Sequence, residues 1–391
     1  SGKDRLDYSN YMNAVDVQII GKGTIDGFEG IETGSISFRF DNIDLLTGSA
    51  LKTDKLTGTN ASPIWHVYEN GTIDLTIGGT TLNFNGFETL ISGSGNDTIL
   101  FENGAVFTGS IITNSGIDTL DLSKYTTAVD IELTGVGTNE GFKGYEHNII
   151  GYFDNVENVV GSQSSGDILR GLNEPATWLT STSGNYLSLD RTLGFSSIEL
   201  LKGGSDQDKF VFADGVTFSG SIDGGAGKDI LSNALSAAPI TVTLTGIGTL
   251  DGFNGTQPTL TGSFANIDRL EGSLAAGDTL NGLDSESLWK IAPNGMETYS
   301  SCGRTLEYVG IETLQGGSKE DRFAFLGDAV HNGSINTGLG YDTLDYSAYG
   351  SAVQINLTAL SGLDGFAGSA TGITGGFSNV NALVASPYSD K

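Results

Sequence analysis

The chain has 391 residues, 58 of them glycine and only 6 proline, with 38% hydrophobic residues and a net charge of −28. Glycine at about twice its usual share without a Gly-X-Y period excludes collagen, and so little proline excludes a polyproline linker. So much negative charge is repelled by nucleic acid and anionic membrane surfaces, no apolar run of about 18 residues offers a membrane span, and Cys302 alone allows neither an intrachain disulfide nor a multi-cysteine zinc site.

From the N-terminus onward the signals are those of short strands. Val15-Asp16-Val17-Gln18-Ile19 alternates apolar and polar residues with period two. Ile64-Trp65-His66-Val67-Tyr68-Glu69-Asn70-Gly71-Thr72-Ile73-Asp74-Leu75 reads as strand, Asn-Gly turn, strand, an antiparallel hairpin. Val129, Ile131 and Leu133 alternate with Asp130 and Glu132, and Ile240-Thr241-Val242-Thr243-Leu244 repeats the pattern. Ser183-Gly184-Asn185 and Pro293-Asn294-Gly295 fall at points comparable to the Asn-Gly turn. Nowhere does a helical i, i+3, i+4, i+7 pattern persist for three turns, so almost no helix is expected.

These elements recur. Trp65, Trp178 and Trp289 are separated by 113 and 111 residues. Asp26-Gly27-Phe28 returns as Glu140-Gly141-Phe142, Asp251-Gly252-Phe253 and Asp364-Gly365-Phe366. Phe40-Asp41-Asn42-Ile43-Asp44 returns as Phe153-Asp154-Asn155-Val156-Glu157, Phe264-Ala265-Asn266-Ile267-Asp268 and Phe377-Ser378-Asn379-Val380-Asn381. One period of about 112 residues divides the chain into repeats 1–115, 116–226 and 227–339 and a partial fourth, 340–391. The sequence opens and closes within the repeat pattern, which reads as a segment of a longer repetitive polypeptide.

Inside each repeat the corners are acidic. Gly224-Gly225-Ala226-Gly227-Lys228-Asp229-Ile230-Leu231 has close glycines for backbone turns at positive φ, then an acid, then an apolar residue aimed at a core. Worn copies end at Asp97, Asp208, Asp321 and Asp342, and the reduced Asp-x-apolar form begins at Asp4, Asp54, Asp118, Asp167 and Asp278. Asp97 to Asp118, Asp208 to Asp229 and Asp321 to Asp342 are steps of 21. About five coils of about 22 residues per repeat are therefore expected, stacked at about 4.8 Å as an elongated parallel β-solenoid of roughly 80 Å with hairpin insertions. Tandem β-sandwiches are the alternative, since about 112 residues suits one such domain.

At these corners the sequence resembles the glycine-aspartate nonapeptide arrays of RTX-type secreted bacterial proteins. Its larger unit, with Gly272-Ser273…Asp278-Thr279-Leu280-Asn281-Gly282 and Glu312-Thr313-Leu314-Gln315-Gly316-Gly317, looks like the repeats of giant bacterial surface and adhesin-like proteins. The resemblance implies Ca2+ held by stacked aspartates and turn carbonyls, here Asp97 with Asp118, Asp208 with Asp229 and Asp321 with Asp342. The step in such arrays is about 18 rather than 21, and Lys228 and Lys319 sit inside two of the turns. Read from the residues alone, each Asp accepts hydrogen bonds from its own turn amides, as in Asx-type turns.

Chemistry of other kinds has little to stand on. His66, His147 and His331 share no repeat position and read as exposed or incidental. The tryptophans read as buried anchors, or else as stacking platforms for sugars. Polysaccharide-active enzymes do use β-helices, but they shape one cleft, whereas here the copies stay alike. The expectation is a non-enzymatic structural segment, extracellular or on a bacterial cell surface, whose partners are neighbouring repeats or copies of the same protein. A calcium-dependent module binding cell-surface glycans is the second reading.

Overall fold

The computed structural model describes residues 2–33, 38–146, 150–181, 183–293 and 295–391. It is all-β, with 41 strands and no helix among the described residues, so none is long and apolar enough to cross a membrane. Two compact units are present: Ser1–Leu172 with Ser183–Leu201, and Asn173–Thr182 with Lys202–Lys391.

Within each unit the chain alternates between two sheets. In repeat 227–339, one sheet takes Ile230–Ser232, Arg269–Glu271, Ser287–Ile291, Glu297–Ser301, Arg304–Val309 and Asp321–Gly327. The other takes Thr241–Ile247, Phe253–Thr256, Phe264–Ile267, Thr279–Asn281, Thr313–Gln315 and Ser334–Asn336. Most neighbours are parallel, as in a solenoid: Thr279–Asn281 lies between Thr241–Ile247 and Thr313–Gln315, in register through Val242, Leu280 and Leu314. Each sheet also contains one antiparallel three-stranded meander, Ser287–Ile291 to Arg304–Val309 in the first and Thr241–Ile247 to Phe264–Ile267 in the second. Repeat 1 has the same two meanders, Ile64–Val67 to Thr80–Asn85 and Asp16–Lys22 to Phe38–Ile43.

This corrects the expected five coils of about 22 residues. At a meander the chain runs ahead of the growing edge, then folds back to fill the gap, laying three strands in one sheet with no crossing to the other. One meander per sheet per repeat lets both sheets gain six strands and stay level. The tryptophan hairpins were legible, but as two-thirds of a meander. Ser183-Gly184-Asn185 is not a turn; it lies in the strand Ser183–Ser188, and Asn294 of the third turn signal lies outside the described residues. Nor are the repeats separate sandwiches, because strands pair across each boundary: Thr98–Phe101 with Thr119–Asp121, Asp208–Phe212 with Ile230–Ser232, and Asp321–Gly327 with Thr343–Tyr349.

The landmark phrases have physical reasons. The second strand of the meander in the second sheet must pass close to its neighbour, so a glycine sits where a Cβ would lie 2.7 Å from Phe153 (Gly144) or 2.3 Å from Phe264 (Gly255). In Phe-x-Asn the asparagine bends at positive φ, 65° at Asn155 and 55° at Asn266. Its Oδ1 accepts from the turn before Gly-Phe, at 2.8 Å from Asn139 N and 3.0 Å from Leu250 N. A short polar side chain tolerates that conformation and bonds locally.

Stacking is what buries the core. Trp178, Phe210, Leu231, Leu270 and Tyr308 occupy successive parallel rungs in one register, as do Trp65, Ile99, Leu120, Val159 and Phe195 in the first unit. The sheets meet across this core, where Phe253 lies 5.5 Å from Tyr299. Phe142 and Phe253 are fully buried, whereas the equivalent Phe366 is 43% exposed. A phenylalanine fully covered in this way contributes roughly 2 kcal/mol. Trp178 is the largest such side chain in its ladder; it stacks on Phe210 at 5.6 Å and 15° and donates from Nε1 to Asp208 Oδ1 at 3.0 Å. Trp178→Ala is expected to cost about 4 kcal/mol, and Trp178→Phe clearly less, in denaturant unfolding. A loss below about 1 kcal/mol for the alanine variant would show that this ladder does not carry stability.

Candidate functional site: the acidic corners

Apart from the exposed Asp4, the repeated acids are buried, yet they are of three kinds. The first follows Gly-Ser: Asp54, Asp167 and Asp278 are fully buried. Asp167 Oδ2 accepts from Ser162 N at 2.5 Å, and Oδ1 accepts from Ser162 Oγ at 2.7 Å and from Val129 N, across the rung, at 3.0 Å. Asp278 repeats this with Ser273 and Ile240, and Asp54 with Ser49 and Val15. Each amide donates in turn to a glutamate farther along, Asp54 N to Glu88 and Asp167 N to Glu199 at 3.1 Å, and Asp278 N to Glu312 at 3.0 Å. These carboxylates are the turn-bracing acids that the residues alone implied.

Asp97, Asp208 and Asp321 form the second kind, and Asp118, Asp229 and Asp342 the third. The structure brings them together in the pairs expected from the 21-residue step. Asp97 N donates to Asp118 Oδ1 at 2.7 Å, Asp208 N to Asp229 Oδ1 at 2.8 Å, and Asp321 N to Asp342 Oδ1 at 2.8 Å. Contact is therefore amide to carboxylate, not carboxylate to carboxylate. Asp208 spends both oxygens, on Trp178 and on Gly204 N at 2.8 Å, and Asp321 accepts from Ser287 Oγ and Gly317 N. In the third kind only Oδ1 is used; Oδ2 of Asp118, Asp229 and Asp342 is buried without a hydrogen-bond partner.

The turns reach this geometry through glycine. Gly225 and Gly338 have φ of 93°, and a Cβ on either would stand 2.2 or 2.1 Å from the carbonyl oxygen of Gly204 or Gly317 in the rung beneath. That same oxygen accepts from Ala226 N or Leu339 N at 3.0 Å. Lys228 does not intrude: its side chain is exposed, with Nζ 3.8 Å from Glu307 Oε1.

Burial penalises charge at these corners. Desolvation raises Asp97 and Asp208 to about 7, Asp118 and Asp321 to about 6, and Asp229 to about 8. Neighbouring acids add to the effect, Asp208, Asp268 and Asp251 acting on Asp229.

Two further positions per repeat, acidic except at Asn381, complete each third-kind corner, and they were read in the sequence only as period markers. They are the acid of the acid-Gly-Phe phrase and the last acid of Phe-x-Asn-x-acid. Asp229 meets Asp251 and Asp268, with one oxygen of each within 4.8 Å of the others, and Asp4 meets Asp26 and Asp44 in the same way. Asp118 has Glu140 and Glu157 in these places, and Asp342 has Asp364 and Asn381.

The remaining candidates resolve differently. Trp65, Trp178 and Trp289 are buried, which removes them as sugar-stacking platforms. Of the histidines read as exposed or incidental, His331 is buried: it is 1% accessible, with Nδ1 3.2 Å from Glu297 Oε1 and Nε2 3.1 Å from Glu312 O. His66 is half-buried, 3.4 Å from the Tyr68 hydroxyl, and His147 lies outside the described residues. No protein-family model matches the chain, and no curated protein matches it in sequence.

Proposed function

We propose that the chain is a structural repeat segment of a secreted bacterial surface or extracellular fibre protein, a stalk, filament or coat that sets distance and supports adhesion. One observation carries this reading: the landmarks that recur with the period serve stacking. Tryptophans start the ladders, glycines admit close strands, Phe-x-Asn bends the backbone, and Gly-Ser…Asp braces the corners. Each repeat pairs its strands with those of the next, which is the logic of a repeat array. The partners in this reading are neighbouring repeats or copies of the same protein, and the acidic surface keeps such material soluble outside the cell.

Electron microscopy of the source cells with an antibody against the chain tests it. Label is expected on filaments, a lattice or projecting rods at the surface. Label confined to the cell interior, or to single molecules free in the medium, overturns it.

A further inference from the structure

We infer that Glu297, Tyr308 and His331 form a buried proton-binding site that ties the two sheets of the third repeat together and releases them in alkali, a device that repeats 1 and 2 do not have. The inference does not depend on the stalk or coat role. Glu297 lies opposite Tyr308 in the meander of the first sheet, as Ile73 lies opposite Phe84 and Gly184 opposite Phe195. His331 opens His331-Asn332-Gly333-Ser334-Ile335, where the earlier repeats have Phe107-Thr108-Gly109-Ser110-Ile111 and Phe218-Ser219-Gly220-Ser221-Ile222. Its backbone bridges Ile373 as that of Phe218 bridges Leu260. Three positions that are apolar or glycine in two copies have become ionisable together in the third.

All three side chains are buried, and polar groups at sites that hydrocarbon fills elsewhere destabilise a fold unless they satisfy one another. Counting protons shows how they do so. His331 Nε2 lies 3.1 Å from Glu312 O, which can only accept, so Nε2 carries a proton. Nδ1 lies 3.2 Å from Glu297 Oε1. A bare ring nitrogen against an ionised carboxylate would set two lone pairs face to face in a dry site. One further proton therefore sits between them, as imidazolium with carboxylate or as imidazole with carboxylic acid. Either way the pair holds one proton more than the neutral imidazole and ionised carboxylate that water favours above about pH 6.5.

The surroundings offer nothing in place of that proton. Among the described residues no lysine or arginine pairs with Glu297, whose Oε2 is buried without a hydrogen-bond partner, as is the Tyr308 hydroxyl. Burial, and then the charge of Glu297, hold that hydroxyl well above its ordinary range and so neutral. The Glu312 carboxylate turns away to Gly277 N and Asp278 N, both at 3.0 Å. On the Ile373 side the contacts are backbone, His331 N donating to Gly372 O at 2.8 Å and Thr374 N to His331 O at 3.2 Å. Farther out, the Tyr349 and Tyr346 hydroxyls donate to Ala329 O and Thr371 O. Glu297 belongs to the first sheet and His331 leads into Ser334–Asn336 of the second, so losing the proton leaves an uncompensated carboxylate between them. From about pH 4.3 to about pH 6.5 the closed and open forms hold equal numbers of protons and the tie is insensitive to pH. Above about pH 6.5 opening releases one proton and becomes about tenfold easier per pH unit.

Hydrogen exchange of the full chain, read by mass spectrometry on peptides covering 297–309 and 328–336 between about pH 5 and about pH 9, tests this. Wild type is compared at each pH with the triple variant Glu297→Ile, Tyr308→Phe and His331→Phe, which restores the apolar set of repeat 1 and shares the corner acids. Relative protection is expected to stay level to about pH 6.5 and then to fall about tenfold per pH unit. His331→Phe alone, which leaves Glu297 buried without its partner, should bring the fall forward by about two pH units. Equal pH dependence in wild type and triple variant overturns the inference. Nitrogen-15 NMR of the wild-type histidine rings needs no variant to fold. One ring of the three is expected to keep its signals unchanged from about pH 5 to about pH 8, and three rings all titrating near about 6.5 overturn the inference as well.

Discussion

Asp167→Ala is expected to destabilise the first unit by about 5 kcal/mol, whereas Asp229→Asn measured in chelator should change stability by less than about 1 kcal/mol. Both residues are fully buried acids at repeat corners, and composition offers no reason to separate them. Their oxygens do. The Asp167 carboxylate accepts from Ser162 N, Ser162 Oγ and Val129 N, and hydrogen bonds to a charged acceptor are worth about 1.5–3 kcal/mol each. Alanine there strands two buried amides. Asparagine is little better, because both oxygens are in use and an NH2 group would face a donor. Asp229 spends only Oδ1, on Asp208 N, while Oδ2 is buried without a hydrogen-bond partner. An amide keeps the one bond and removes a charge that Asp208, Asp268 and Asp251 repel. Denaturant unfolding of both variants in chelator decides the matter; equal losses would mean that burial alone, not hydrogen-bond accounting, sets the cost.

The same distinction explains what the sequence could and could not show. Period, strand content and buried tryptophans were legible because each is a local signal. Val129, Ile131 and Leu133 alternate with Asp130 and Glu132 and are buried on alternate positions as read. The stacked pairs were legible because a constant step of 21 places one acid above another. The meanders of the second sheet were not, because Phe28–Glu32 and Phe142–Glu146 carry few apolar residues and their pairing depends on a glycine passing a phenylalanine ring. The three-acid corners were missed for a related reason. Asp251 and Asp268 reach Asp229 only after the chain has run out along the meander and back. Their signal was already visible as acid-Gly-Phe and Phe-x-Asn-x-acid, but a recurring acid in a recurring phrase marks the period equally well.

The metal-free protein is expected to be most stable in mild acid and to lose stability steadily between about pH 4 and about pH 8, with Tm falling by about 10 °C across that range. The direction follows from the corners. An acid whose folded pKa lies above its unfolded value binds more protons in the native state, so raising the pH favours unfolding until the folded pKa is passed. Asp97 and Asp208 are pushed up to about 7, Asp229 and Glu157 to about 8, and Asp118 and Asp268 to about 6, each chiefly by burial. Opposing them are groups held low by hydrogen bonds and cations, such as Asp223 beside Asn266 and Lys202, and Asp345 beside Ser347 and Arg322. Those favour the native state as pH rises, but their unfolded forms are already ionised by about pH 5, so above that they leave the slope to the buried corners. Thermal unfolding in chelator at half-unit pH steps measures it directly. A stability maximum near neutral pH, the common pattern for proteins whose acids are all paired, would show that the corner carboxyls are ionised in the native fold and that their burial is compensated by groups other than a proton.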